Sequence, residues 1–208
     1  MRRWILAAAM ACAAAGAGAQ SLTPEQLKAM IDQRVAAQNP YQELLNDPDP
    51  ARSMAAMEIM MESGDAVLFR MALEFGVTAA NPTVRRRAVE AFMSSGPVLT
   101  ARFDGTNSKG DDFVKRIRQF GGNIGPDGIA FIRFDIGQYE ATKQCYLWEG
   151  SDNCAVSVNA DGVFLSGNFG GYNTVSARLA LNESGELVGS SALGSVQDAI
   201  PTTIRIID

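Results

Sequence analysis

The chain contains no histidine among its 208 residues. That absence removes Ser-His-Asp and Cys-His nucleophilic catalysis, imidazole bases and histidine-ligated zinc from the chemistries open to it. Positive charge is also short, with 18 basic residues against 23 acidic ones. Such a chain lacks the broad positive field that phosphate backbones require, so nucleic acid is excluded as a partner. The longest apolar run, Trp4 to Ala15, falls short of the about 20 residues needed to cross a bilayer as a helix. Cysteine is scarce too: Cys12, Cys145 and Cys154.

The apolar run has a different use. Arg2-Arg3 precede it and a small-residue stretch ending Ala17-Gly18-Ala19 follows it, which is the charge, core and Ala-x-Ala order of a secretory signal. Cleavage after Ala19 is predicted, leaving a periplasmic or secreted protein that begins at Gln20 and has no membrane span. A lipidated Cys12 is disfavoured because Ala9-Met10-Ala11-Cys12 lacks the Leu three residues before the cysteine. Loss of Arg2 and Arg3 takes the 18 basic residues to 16 against 23 acidic ones, a net charge of −7. Cys145 and Cys154 then remain as a pair bound for an oxidising compartment, and a disulfide is expected. Zinc is the weaker reading, since a lone C-x8-C without histidine would need two carboxylates to complete a tetrahedral site. No metal and no cofactor is predicted.

Residues 20–97 read as helical. Thr23-Pro24-Glu25-Gln26 combines a threonine cap, a proline at the first helical position and a Gln to close a capping box. Leu27, Ile31 and Val35, with Met30 beside them, form an apolar stripe, and the helix is expected to stop near Asn39-Pro40 because a residue before proline avoids helical angles. Beyond it lies an internal repeat. Pro50, Ala56, Glu58, Met60-Met61 and Ser63-Gly64 recur 32 residues later as Pro82, Ala88, Glu90, Phe92-Met93 and Ser95-Gly96. Each copy begins with an Asp or Asn before proline and ends in Ser-Gly, the start and stop signals of a helix. Val67, Leu68, Met71, Ala72 and Phe75, closed by Gly76, predict a further helix between the copies.

Asn81-Pro82-Thr83-Val84-Arg85-Arg86-Arg87-Ala88-Val89-Glu90-Ala91-Phe92 resembles the Asp-Pro-x-Val-Arg-x-x-Ala helix of HEAT-type repeats, and Asp49-Pro50-Ala51-Arg52 with Ala55-Ala56 resembles a degenerate copy. The resemblance covers residues 47–96. It implies a helical-hairpin scaffold that holds partners, in which Arg85 makes contacts within the helix stack and binds no ligand. Two units are fewer than a free-standing solenoid needs, so these helices are expected to lean on the β-rich remainder of the chain.

From Val98 the period changes from helix to strand, and residues 98–208 read as an antiparallel β-meander, a small barrel or a sandwich. The fold class expected is therefore α+β, helical hairpins followed by the meander with one disulfide. Strand-like runs are Val98 to Phe103, Ile129 to Ile136, Tyr139 to Trp148, Cys154 to Val158, Val163 to Phe169, Thr174 to Leu181, Leu187 to Leu193 and Thr202 to Ile207. Asp161-Gly162 is the strongest hairpin signal, with Glu183 to Glu186 and Ile136-Gly137-Gln138 as further turns. Asp111-Asp112 cap a short helix carrying Phe113, Ile117 and Phe120, ended by Gly121-Gly122. Phe131, Phe134, Leu165, Phe169 and Leu179 are large enough to fill a small barrel.

Residues with chemical potential are few. Asp104, Asp111, Asp112, Asp135 and Glu140 are the candidates for a carboxylate pair of the kind glycosidases use, although acidic residues beside glycines are ordinary turn formers. Ser108-Lys109 lacks the helix-borne S-x-x-K spacing. Ser157-x-Asn159-x-Asp161-Gly162 begins like a calcium loop but has Asn168 where a bidentate Glu belongs. Lys115-Arg116-x-Arg118 and Arg85-Arg86-Arg87 read as solvated helix faces.

The hairpin between Cys145 and Cys154 is the most distinctive local feature. Its cysteines are symmetric about Glu149-Gly150, so the bond is expected to link opposed residues near the tip. Tyr146 and Trp148 lie inside the closed loop, either as a rigid aromatic contact tip or as cover for the domain's own core. The function expected is a non-enzymatic exported envelope protein that binds or assembles with an envelope protein partner. Two alternatives stand beside it: a carrier with the meander closed as a cup around an apolar ligand, and a carboxylate-based hydrolase.

Overall fold

The computed structural model describes residues 22–108, 111–168 and 174–207. The expected signal at residues 1–19, Lys109 and Phe169 lie outside them. Helices are α1 (Pro24–Leu45), α2 (Pro50–Glu62), α3 (Ala66–Thr78), α4 (Pro82–Ser94) and α5 (Asp112–Gln119). Strands are β1 (Val98–Asp104), β2 (Asn123–Ile124), β3 (Ile129–Glu140), β4 (Cys145–Trp148), β5 (Cys154–Asn159), β6 (Gly162–Asn168), β7 (Thr174–Leu181), β8 (Glu186–Leu193) and β9 (Ile200–Arg205). No helix among the described residues is long and apolar enough to cross a membrane.

The chain separates into two compact units, up to Pro40 and from Tyr41 onward. In the first, the capping box forms as the sequence predicts: Gln26 N donates to Thr23 Oγ1 at 3.2 Å and Thr23 N to Gln26 Oε1 at 3.0 Å. The expected stop at Pro40 does not occur, and α1 runs on to Leu45. Proline inside a helix removes one hydrogen bond, but the turns beyond it are held from the other side, where Leu45 is buried in the core and Ser53 Oγ donates to its carbonyl.

In the second unit the 32-residue repeat is a repeated helix with repeated ends. Asp49 and Asn81 cap α2 and α4 through their side chains, Pro50 and Pro82 open the first turns, and Ser63 and Ser95 close them. Gly64 and Gly96 come next at φ of 76° and 66°, a left-handed conformation that favours glycine. The helix between them, α3, starts at Asp65, which accepts from the amides of Val67 and Leu68. Ala88 is fully buried, whereas its counterpart Ala56 is only half-buried.

The meander closes. Strand order is β1-β9-β8-β7-β6-β5-β4-β3, and β1 pairs with β3 to complete an eight-stranded antiparallel barrel, with β2 as an extra strand on β3. Closure leaves alternate residues pointing inward. Leu99, Ala101 and Phe103 of β1 stand opposite Phe134, Ile132 and Ala130 of β3, and all six are buried. Leu165, Leu179, Leu187, Leu193 and Ile204 occupy the interior from the remaining strands. Phe131, expected inside, is 46 % exposed. Strand alternation cannot send both Phe131 and Phe134 the same way, and Phe134 with Ile132 wins the inner face.

Two local expectations about the meander change. The hairpin placed at Ile136-Gly137-Gln138 is absent, and β3 continues to Glu140 through a register irregularity between Ile136 and Tyr139. The turn falls instead on the residues before Gln144, whose φ is 53°. Cys154 opposes Leu147 rather than Cys145, because the β4–β5 register shifts between Tyr146 and Leu147. The disulfide therefore runs diagonally, with Cα atoms 5.7 Å apart. The Asn159–Gly162 and Asn182–Glu186 turns form as predicted.

Both ends of the barrel are occupied. At one end Arg85 donates to the carbonyls of Leu181 and Asn182, and Met57, Val77, Ala88, Val89 and Met93 join one continuous core with the barrel's inner residues. At the other end α5 buries Phe113 and Ile117. Arg116, expected on a solvated face, is buried beside them and donates to Gln119 Oε1 and Ser195 Oγ, each at 2.8 Å. Its place three residues after Phe113 puts it on that residue's side of the helix.

Candidate functional site

The two aromatic residues singled out in the disulfide hairpin are both used inside the fold. Tyr146 is 4 % exposed and its hydroxyl reaches α4, donating to the Glu90 carbonyl at 2.8 Å and lying 3.2 Å from Ser94 Oγ. Burial pushes its phenol above the ordinary value, against the opposing hydrogen bond from Ser94. Trp148 is half-buried, its ring 5.3 Å from Phe134, and its indole Nε1 donates to the Ser166 carbonyl at 3.0 Å. Neither forms the exposed hairpin tip the spacing suggested. The register irregularities on either side of β4 turn these rings toward α4 and the barrel end.

Tyr146 does, however, line a groove of about 420 Å³ that opens beside it. Its other walls are Glu58 and Glu62 of α2, Arg87, Glu90 and Ser94 of α4, and Tyr139 at the end of β3. Tyr139 is 52 % exposed, and its ring lies 5.1 Å from that of Tyr146 at an interplanar angle of 58°. A tilted aromatic pair of this separation is attractive in itself and fixes the outer ring. Arg87 spans two of the carboxylates, 3.2 Å from Glu90 and 4.0 Å from Glu58, and Arg86 lies 3.5 Å from Glu90. Glu62 is exposed at the groove's edge.

Glu58 and Glu90 are already ion-paired with arginines, while Glu62 has no ion-pair partner within 4.0 Å among the described residues and lines the groove with the half-exposed phenol ring, an acceptor and a π face for a cation. Sequence reasoning did not mark these residues as a site. Yet Glu58 and Glu90 are equivalent positions of the two repeat copies, and Glu62 lies four residues after Glu58 on the same helix face. The repeat thus held the signal for the acidic wall. Tyr139 could not be found that way, because its position depends on β3 continuing past Gly137.

The other candidates are dispersed. Asp104 and Asp135 stand at opposite ends of the β1–β3 ladder, opposite Ile129 and Val98; six residue steps put them roughly 20 Å apart, beyond the about 10 Å that an inverting glycosidase pair spans. Hydrogen bonds from Thr106 lower the Asp104 carboxyl, and those from Thr142 lower Glu140. Both act as turn acceptors. Asp112 lies 4.0 Å from Lys115, both on the exposed side of α5, and Asp111 makes no side-chain cap there. Ser157, Asn159 and Asp161 belong to the β5–β6 hairpin, where Asn159 Oδ1 accepts from the Asp161 amide at 2.8 Å. Asn168 pairs with Thr174 at the far end of β6. Among the described residues no three metal-ligating side chains cluster. Models of known protein families, curated protein sequences and solved structures contain no match to this chain.

Proposed function

We propose that this is a non-catalytic exported protein, periplasmic or secreted, that binds a protein partner presenting a basic segment. One observation carries the reading: the groove lined by Glu58, Glu62 and Glu90, two of them shared with Arg87, and by the half-exposed Tyr139, whose ring lies tilted against that of the anchored Tyr146. A lysine or arginine side chain entering it gains carboxylate acceptors and an aromatic face whose position is already fixed, so little freedom is lost on binding. The excess of acidic over basic residues in the whole chain favours the encounter with such a partner. A scaffold of HEAT-like helices leaning on a barrel suits this role. The disulfide and the hydrophobic leader support an oxidising compartment.

The barrel interior offers less to a ligand. Phe103, Phe134, Leu165, Leu179 and Leu193 project into it, all buried, which weighs against a cup-like carrier. The test uses a photo-crosslinking amino acid at position 139, introduced into the full chain expressed in its native host. Capture of a defined envelope protein, lost in Glu58→Gln/Glu62→Gln and absent with the crosslinker at Ser190 of β8, supports the proposal. Equal capture from both positions, or capture indifferent to the glutamates, sinks it.

A further inference from the structure

A second groove, of about 450 Å³, opens between the first turns of α4 and the β5–β6 hairpin. It shares only Val158 with the tyrosine groove. Val89, Val158, Val163 and Leu181 make its walls aliphatic, and Arg85 and Arg86 stand at one side. Arg85 is held in place from behind, one guanidinium nitrogen donating to the carbonyls of both Leu181 and Asn182. Among the described residues no carboxylate comes within 4.0 Å of it. Carbonyl dipoles orient this cation without neutralising it. Arg85 Nε is buried without a hydrogen-bond partner, whereas Arg86 Nε lies 3.5 Å from Glu90 Oε1 in an ion pair.

We infer that this groove binds a linear monocarboxylate of medium chain length, its carboxylate on Arg85 and Arg86 and its saturated chain along the four aliphatic walls. An uncompensated, pre-oriented guanidinium beside apolar surface is complementary to an anion with an apolar tail. The volume falls within the roughly 300–1,000 Å³ of small-molecule sites. A peptide is the poorer occupant, because β5 is paired with β4 and β6, and β6 with β5 and β7. No strand edge is left there to receive a peptide backbone. Asp161 lines the hairpin side and disfavours a second negative charge on the ligand.

The test titrates the exported protein with decanoate, with decanol and with the tripeptide Val-Val-Leu, following the arginine Nε–H resonances by NMR. Decanoate is expected to bind one-to-one and shift Arg85 and Arg86, with decanol weaker by roughly tenfold or more. Arg85→Gln is a poor variant because it also frees the Leu181 and Asn182 carbonyls. Arg86→Gln should weaken decanoate roughly tenfold, and Ala180→Trp, which fills the groove from the exposed face of β7, should abolish it, both with unchanged melting curves. Absence of either arginine shift, equal binding of decanol, tighter binding of the tripeptide, or retained affinity in Arg86→Gln overturns the inference.

Discussion

Replacing Gly76 by alanine should destabilise the protein, although intrinsic helix propensity predicts the opposite. Gly76 lies within α3, where exchanging glycine for alanine would by itself stabilise a helix by about 0.8–1 kcal/mol. A β-carbon at this position, however, falls 2.4 Å from Ala88 Cβ and 2.6 Å from Met57 Sδ. Carbon atoms in contact prefer roughly 3.5–4 Å, so the overlap exceeds an ångström. Ala88 Cβ can retreat only with the backbone of α4, and Met57 has no exposed surface into which to move. Overpacking of this kind costs about 1–3 kcal/mol or somewhat more, and a net loss of about 1–2 kcal/mol is expected once propensity is offset. Urea unfolding followed by circular dichroism gives the number directly. Ala88→Gly should relieve the clash, so the double variant should be more stable than the two single losses add up to, with a coupling of about 1 kcal/mol or more. A Gly76→Ala protein that is more stable than the parent, or a double variant that is simply additive, would refute the close packing of α3 against α2 and α4 at this glycine.

The same contacts set three further outcomes. Cys145→Ser/Cys154→Ser should lower stability by about 2–3 kcal/mol, the loop-closure entropy of so short a ring, as measured by chemical unfolding without reductant. Tyr146→Phe should cost about 1 kcal/mol because the Glu90 carbonyl loses one of its donors while Ser94 Oγ keeps its bond to it. It should also flatten the alkaline limb: the Tyr146 phenol is raised in the folded state, so its contribution is complete below the unfolded value near pH 10 and is lost as pH rises above it, a slope read from thermal melts between pH 9 and 11. Trp148→Ala should lower stability by about 2–4 kcal/mol, through loss of packing on Phe134 and of the hydrogen bond to Ser166, with circular dichroism melts as the readout.

What was legible in the sequence was local and periodic. Val175, Ala177 and Leu179 alternate so cleanly that their inward face could be assigned, and Asp161-Gly162 and Gly185 mark turns through their own chemistry. Cap residues at Thr23, Asp49 and Asn81 announced helix starts for the same reason. What escaped depended on partners distant in the chain. Pro40 is tolerated because Leu45 is anchored elsewhere, and β3 passes Gly137 because β4 and Glu149 hold it, Glu149 N donating to the Asp135 carbonyl. Arg85 was expected to bond within the helix stack and instead clamps the end of β7, a contact across 96 residues. Closure through the β1–β3 ladder likewise leaves no trace in either strand alone, since both read as ordinary alternating segments. Of the site, only Tyr146 was singled out, and its burial under α4 was the contact that local spacing could not supply.

Under the function proposed above, the partner binds the outer surface of a filled barrel, at the tyrosine groove. Amide chemical-shift mapping of the protein, titrated with a short lysine- and arginine-containing peptide, tests this. Shifts confined to the groove, at Glu58, Glu62, Arg87, Glu90, Ser94, Tyr139 and Tyr146, weakened by added salt and lost in Tyr139→Ala/Glu62→Gln, are the result predicted. Shifts centred on inward residues such as Ala101, Leu165 and Leu179, or none at millimolar peptide, would contradict it.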